Sequence, residues 1–199
     1  MPNKSEMSMS KHLVEKPDTL KQNKLREWIK IKFLSNHLRL FPINEKTLDI
    51  GCGWGFSRKI SPDFYFVDAD VDCIEFLKSL GAKAFLADVS AELPFDDGFF
   101  DNAFNHDVLE HLDEDECLSL FKKVNRVLKK GGTFMIVVPN YKGYLTPGVG
   151  HKRFVTEKEI LDAALPTGFK MVRKWHTPFP AWIGDMFSDN KLVCILEKL

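Results

Sequence analysis

Short apolar runs alternate with stretches of helical periodicity along most of the chain. Runs that are apolar without polar alternation are typical of strands buried on both faces of a parallel sheet. The pattern therefore predicts an α/β fold with a doubly wound sheet of seven strands, at 47–50, 64–67, 84–86, 102–105, 133–138, 169–175 and 192–196. Helices are predicted between the strands, at 72–80, 113–129 and 156–165.

The connection between the last two strands differs from the others. Residues 176–190 contain several Pro and Gly residues and leave no room for a covering helix of normal length. A parallel connection needs a crossover of a dozen or more residues, usually a helix, whereas a loop can join antiparallel strands. The last strand is therefore predicted to be antiparallel.

The amino-terminal region has a different texture. Residues 1–16 are polar and lack periodicity, and from Asp18 to Leu40 apolar residues recur mostly at helical intervals with basic residues between them. We predict a tail and an amphipathic helix over 1–45 that cover the main domain as a lid. The main domain is predicted to span 46–199.

Composition narrows the function class. The 28 basic and 28 acidic residues cancel, although residues 1–46 are net basic and residues 68–116 strongly acidic. A neutral total argues against a nucleic-acid partner, and no apolar run is long enough to span a membrane. Four scattered cysteines and the lack of an apolar leader favour a cytoplasmic protein. We expect a monomer or a homodimer.

The most informative motif is LDIGCGWG, in which an apolar strand runs into Gly51, Gly53 and Gly55. Glycines at alternate positions make a sharp turn whose backbone a ligand can approach closely. The spacing is not that of the dinucleotide fingerprint G-x-G-x-x-G, because position 56 is Phe. The preceding Asp49 would repel a pyrophosphate and suits a cationic ligand. A turn needed only for packing is the alternative.

Two further acids follow predicted strands. Asp68 can accept hydrogen bonds from vicinal ribose hydroxyls, and Asp88 can accept one from the exocyclic amine of a base. Alternatively these acids form turns or cap a helix. Asp70 or Asp72 could cap the helix that follows, which would leave Asp68 for the ligand.

Several motifs in order resemble those of class I S-adenosylmethionine-dependent methyltransferases of the small-molecule, ubiquinone-biosynthesis type. They are LDIGCGWG, FYFVDAD, FLADVSAELPFDDGFFDNAFNHDVLEHL, RVLKKGGTFMIVVPN, HKRFVTEKEI and TGFKMV. The resemblance runs from about Lys46 to the carboxyl terminus. It implies a Rossmann-like, mostly parallel seven-stranded sheet with an antiparallel last strand. It also implies S-adenosylmethionine as cofactor, S-adenosylhomocysteine as product and a small-molecule methyl acceptor.

The resemblance also implies which residues bind the cofactor. Asp49 would act on its ammonium group, Asp68 on its ribose, and Asp88 with the backbone of Val89 on its adenine edge. The full set at the strand ends is Asp49, Gly51, Cys52, Gly53, Asp68, Ala69, Asp70, Asp88, Val89, Asn105 and His106. Because only residues 56–63 separate the glycine loop from the second strand, the helix after the loop must be very short.

Candidate catalytic and metal-binding residues follow the fourth strand. His106, next to the expected cofactor, is the candidate general base, or else a strand-end residue satisfied by backbone. Asp107, Glu110 and His111 would share one face of a helix, and His151 could complete a metal site. A similar pattern occurs in small-RNA 2′-O-methyltransferases, which bind a divalent metal. The alternative is no metal, with Glu110 and His111 as a structural pair.

Three functions therefore remain open. The first is a methyltransferase for a small molecule. The second is a methyltransferase-like protein that binds the cofactor without turnover, and the third is a metal-assisted RNA 2′-O-methyltransferase. Two charged runs are expected to be structural. The acidic residues 113–116 open the helix predicted at 113–129, because negative charge favours a helix amino terminus, and residues 129–132 close it with lysines and a capping glycine.

Overall fold

A computed structural model describes residues 32, 35–38, 46–88, 92–140, 150–178 and 190–199. Within these ranges seven strands form one sheet in the order β3-β2-β1-β4-β5-β7-β6. The strands are β1 Thr47–Ile50, β2 Tyr65–Asp68, β3 Lys83–Leu86, β4 Phe100–His106, β5 Leu128–Pro139, β6 Phe169–Thr177 and β7 Lys191–Lys198. All seven overlap the strands that the apolar runs predicted.

Strand directions agree with the prediction as well. The pairs β1–β2, β1–β4, β2–β3 and β4–β5 are parallel. The last strand, β7, runs antiparallel to both of its neighbours, β5 and β6. The mostly parallel Rossmann-like sheet with an antiparallel last strand is therefore confirmed.

Helices cover the sheet, and their amino termini are capped by side chains. The α-helices are α1 Val71–Ser79, α2 Glu114–Val127 and α3 Glu157–Ala164. Asp70 caps α1 by accepting from the backbone N–H groups of Asp72 and Cys73. A reciprocal capping box between Asp113 and Glu116 starts α2, as the acidic run predicted. The helix after the glycine loop is a single 3₁₀ turn, Phe56–Lys59, and is as short as the sequence predicted.

Two apolar clusters lie on opposite faces of the sheet. One joins Leu48 and Ile50 of β1 to Phe121 and Val124 of α2. The other joins alternate strand residues, including Phe66 and Phe104, to α1. Every residue of β1 is buried, including its polar residues Thr47 and Asp49, so both faces of this strand are covered. Among the described residues, no helix is long and apolar enough to cross a membrane.

The predicted end of the helix at 113–129 is wrong. The observed helix, α2, ends at Val127, and Leu128 already has extended backbone angles. Residues 129–132 belong to β5, where the register against β4 shifts between Phe100 and Asn102. Lys129 pairs with Asp101 of β4 rather than with the helix terminus. Gly131, at φ 75°, serves this strand irregularity and not a helix cap.

Most of the predicted amino-terminal lid lies outside the described residues. Residues 32 and 35–38 are helical, as predicted for that part of the chain. Leu38 is fully buried in the apolar cluster on the α1 face of the sheet. This short segment therefore packs directly on the main domain.

Candidate functional site

The carboxyl ends of the parallel strands bring most of the sequence-predicted residues to one edge of the sheet. Gly51 follows β1, Asp68 ends β2, and Asp88 comes shortly after β3. Asn105 and His106 end β4, the strand next to β1. In open α/β sheets, ligands bind in the crevice outside these strand ends.

The glycine loop after β1 has a backbone that only glycine adopts without strain. Gly51, Gly53 and Gly55 have φ values of 71°, 50° and 70°. The N–H groups of Gly51 and Cys52 both donate to the carbonyl of Val67, at 2.8 and 3.1 Å. The turn is thus fixed against β2, and its outer side bears no side chain at the glycines.

Asp68 links this loop to the end of β2. Its Oδ2 accepts the N–H of Gly53 at 2.7 Å, and its Oδ1 accepts the N–H of Asp70 at 2.9 Å. Burial raises the pKa of Asp68 while these backbone donors oppose the rise. Asp70 uses its own carboxylate to cap α1. Asp70 therefore caps α1, as one of the sequence alternatives predicted, and the ligand role of Asp68 stays a prediction.

Asp49 lies in β1, beneath the glycine loop. It is 4% exposed and accepts a hydrogen bond from the hydroxyl of Ser57. Burial raises its pKa to about 7, the charge of Asp68 adds to the rise, and the Ser57 hydroxyl opposes it. A buried carboxylate of this kind gains from a nearby positive charge.

Asn105 and His106 differ in exposure at the end of β4. The Asn105 side chain is fully buried, and neither its amide oxygen nor its amide nitrogen has a hydrogen-bond partner among the described residues. A buried amide without a partner costs roughly 1–3 kcal/mol, so a ligand that bonds to it would remove a penalty. The His106 side chain is 33% exposed, and its Nδ1 lies 3.2 Å from Asp107 Oδ2.

The remaining predicted cofactor residues have separate positions. Cys52 is buried in the apolar cluster on the α1 face, so its thiol packs with apolar side chains. Ala69 and Asp88 are exposed near the strand ends. Val89 lies outside the described residues.

Asp107 is engaged in ion pairs. Lys191 of β7 donates to both of its carboxylate oxygens, at 2.7 and 2.8 Å. Loss of hydration alone would raise the pKa of Asp107, but His106 and Lys191 outweigh it and hold the pKa well below its ordinary value. Asp107 also has a φ of 58°, rare for a residue other than glycine.

The other three residues of the predicted metal group do come together. Ligand atoms of Glu110, His111 and His151 all lie within 4.8 Å of one another, and Asp107 is not part of this group. Burial raises the pKa of Glu110 to about 8, and the charge of Asp107 adds to the rise. The expected set of four ligands is therefore reduced to three.

Sequence reasoning missed His37. It is 3% exposed, and neither ring nitrogen has a hydrogen-bond partner among the described residues. Its ring centroid lies 6.3 Å from that of Trp175. Burial is the largest cause that lowers its pKa to about 4, and the electrostatic influence of His106 and Lys191 contributes to the same shift. The sequence of this basic helical segment does not indicate that His37 lies near the end of β4, because that proximity depends on tertiary packing.

The segment that contains most of these residues is similar to a known protein family. Residues 48–136, from β1 to β5, match the family model described as a methyltransferase domain. The matched segment holds the glycine loop, Asp68, Asp88, Asn105 and His106.

Curated relatives and solved structures extend the similarity. The chain is 26% identical to an uncharacterized protein of Methanocaldococcus jannaschii, over 89% of this chain and 83% of that protein. It is 29% identical to the tRNA (carboxymethyluridine(34)-5-O)-methyltransferase of Arabidopsis thaliana, over 71% of this chain and 32% of that protein. Its fold is similar to that of a crystallised SAM-dependent methyltransferase from Archaeoglobus fulgidus, with a TM-score of 0.70 and 16% identity, covering 86% of this chain and 94% of that chain.

Proposed function

We propose that the chain carries a class I S-adenosylmethionine-dependent methyltransferase domain and that it transfers the methyl group to a small-molecule acceptor, which the match of residues 48–136 to a methyltransferase domain supports. One observation carries the proposal. Asp68 holds the glycine loop at the strand ends, next to the amide of Asn105, which has no hydrogen-bond partner in the described part of the chain. The alternative is a protein that binds the cofactor without turnover. It would use the same binding site, so a methyl-transfer assay is needed to distinguish the two.

The residues at the strand ends fit this cofactor. Gly51 and Gly53 leave the turn without side chains at these positions, and Asn105 offers a buried amide that has no partner among the described residues. We propose that Asp49 faces the ammonium group and Asp68 the ribose. Ala69 and Asp88, both exposed, would border the adenine. Val89 stays a prediction for the adenine edge.

When bound, S-adenosylmethionine supplies a methyl group that its sulfonium already activates for in-line attack. The protein's main task is then to hold the acceptor in line with that methyl group. His106 is half-exposed at the end of β4, and His37 brings a neutral imidazole to the same region. We propose that these two histidines contact the acceptor and that His106 takes a proton from a hydroxyl or amine nucleophile.

Charge at the strand ends favours a small acceptor over RNA. The described carboxylates there are Asp49, Asp68, Asp70, Asp88 and Asp107, and the positive charge of Lys191 is paired with Asp107. RNA-binding surfaces neutralise phosphates with lysine and arginine, which an acidic edge does not do. A tRNA acceptor, suggested by two relatives, is the competing outcome.

A methyl-transfer assay tests the proposal. The protein is incubated with S-adenosylmethionine labelled in its methyl group and either a low-molecular-weight metabolite extract or total RNA. We expect label in a small molecule and formation of S-adenosylhomocysteine. Label in RNA would overturn the small-molecule acceptor, and cofactor binding with no product in either fraction would favour the protein without turnover.

S-adenosylhomocysteine at about 100 times its Kd should raise the free energy of unfolding by about 2.7 kcal/mol, whereas NAD should not change it.

The pKa of Asp49 predicts how cofactor affinity changes with pH. Its pKa is raised to about 7 in the free protein, and a bound ammonium group would favour the ionised form. Affinity should therefore rise with pH up to about 7 and then level off, so that binding at pH 6 is about tenfold weaker than at pH 8. Calorimetry with S-adenosylhomocysteine from pH 5.5 to 8.5 measures this.

Asp49→Asn is the matched control for the pH experiment. The asparagine keeps an oxygen for the Ser57 hydroxyl but cannot ionise. Its affinity should be lower and nearly flat across the same pH range. A variant with the same pH dependence as the wild type would remove Asp49 from the ammonium contact.

A further inference from the structure

Three potential metal ligands converge just beyond the end of β4. Ligand atoms of Glu110, His111 and His151 all lie within 4.8 Å of one another. Glu110 and His111 belong to the 3₁₀ turn Leu109–His111, and His151 comes from a segment 40 residues later. The group therefore exists only in the folded chain.

Backbone hydrogen bonds hold the two segments together. The N–H groups of Lys152 and Arg153 both donate to the carbonyl of Glu110, at 2.8 and 3.3 Å. The rings of His111 and His151 meet edge to face, with centroids 4.8 Å apart. Both imidazoles are thus fixed next to the turn that carries the carboxylate.

The hydrogen bond of His111 leaves one ring nitrogen available. Its Nδ1 lies 3.0 Å from the carbonyl oxygen of Gly150. A carbonyl only accepts, so Nδ1 carries the proton and Nε2 of the neutral ring keeps a lone pair. Histidines that ligate metals usually donate their other ring N–H to a carbonyl or carboxylate in this way.

Glu110 is the most unusual member of the group. It is 2% exposed, and neither carboxylate oxygen has a hydrogen-bond partner among the described residues. Lys191 is already occupied by Asp107. A buried carboxylate is normally paired or bound to a metal, and the two imidazoles beside Glu110 point to the second arrangement.

We propose that Glu110, His111 and His151 bind one divalent transition-metal ion, such as Zn²⁺. One carboxylate and two imidazoles are a donor set that suits zinc and neighbouring metals better than Mg²⁺ or Ca²⁺. Three protein ligands leave at least one position for water or for an oxygen atom of an acceptor. Metal binding at this group does not depend on methyl transfer, so it stands or fails separately from the proposed function.

Metal titration of the full chain, free of affinity tags and treated with a chelator, tests the site. Co²⁺ is followed by its visible absorption and Zn²⁺ by calorimetry. We expect one ion per chain, with the stronger absorption of low-coordinate Co²⁺. His151→Ala and Glu110→Gln should each weaken binding at least about tenfold. Glu157→Gln replaces a carboxylate that is paired with Lys174, outside the group, and should leave affinity unchanged.

Glu110→Gln also separates metal binding from folding. Glutamine keeps the shape of the side chain and cannot carry the buried charge of a carboxylate, so without metal the variant should melt no lower than the wild type. The rise in melting temperature that Zn²⁺ gives the wild type should be lost. Saturable binding that is unchanged in both variants, or no binding below about 100 µM Zn²⁺, would overturn the site.

Discussion

Asp68→Ala is expected to weaken S-adenosylhomocysteine binding by about 1.5–3 kcal/mol, roughly a 10- to 150-fold rise in Kd. That range is typical of hydrogen bonds to a charged group. Two causes act together, because the variant would lose the proposed ribose contact and would also release the N–H of Gly53 that Asp68 accepts at 2.7 Å. Calorimetry at pH 8 gives the change directly.

Two further variants test whether the loss of affinity is specific to the carboxylate of Asp68. Asp68→Asn keeps one acceptor oxygen and should lose less affinity than the alanine variant. Asp72→Asn changes an exposed acid in the first turn of α1 and should alter Kd by less than about threefold. If Asp68→Ala and Asp72→Asn had equal, small effects, the ribose assignment would be wrong.

Much of the fold could be predicted because its strands are buried on both faces. Leu48 and Ile50 face one apolar cluster while Phe66 and Phe104 face the other, so both faces leave a mark in the sequence. The antiparallel last strand followed from the length of a connection. The end of α2 could not be predicted, because the pairing of Lys129 with Asp101 depends on a strand neighbour distant in sequence.

The parts of the candidate site that could be predicted are those in which the residues at the end of a single strand set the local structure. Asp68 and the glycines lie where local patterns placed them, and Asp70 caps α1 as one alternative foresaw. Side-chain partners from distant segments could not be predicted. Lys191 removes Asp107 from the expected metal group across 84 residues, and His37 reaches the site from the amino-terminal side.

Gly51→Ala is expected to lower the free energy of unfolding by about 2–5 kcal/mol, through about 1–2 kcal/mol of backbone strain at φ 71° and about 1–3 kcal/mol of overpacking. A Cβ at this position would lie 2.4 Å from Cγ2 of Val108. The melting temperature should fall by roughly 5–15 °C. Cofactor affinity should fall as well, because the loop that Asp68 holds must shift.

Gly81→Ala separates the two causes, because its φ is 73° and, apart from its chain neighbours, none of the described residues has an atom within 4 Å of the added Cβ. It should show the backbone cost of about 1–2 kcal/mol and no change in cofactor affinity. Val108→Ala in the Gly51→Ala background removes the clash, because it deletes both Cγ atoms and leaves the Cβ of residue 108 at 3.6 Å, an ordinary van der Waals contact. A double-mutant cycle should then recover about 1–3 kcal/mol as coupling. Full additivity would mean that Val108 does not confine the loop, and the lost affinity would then come from the left-handed backbone alone.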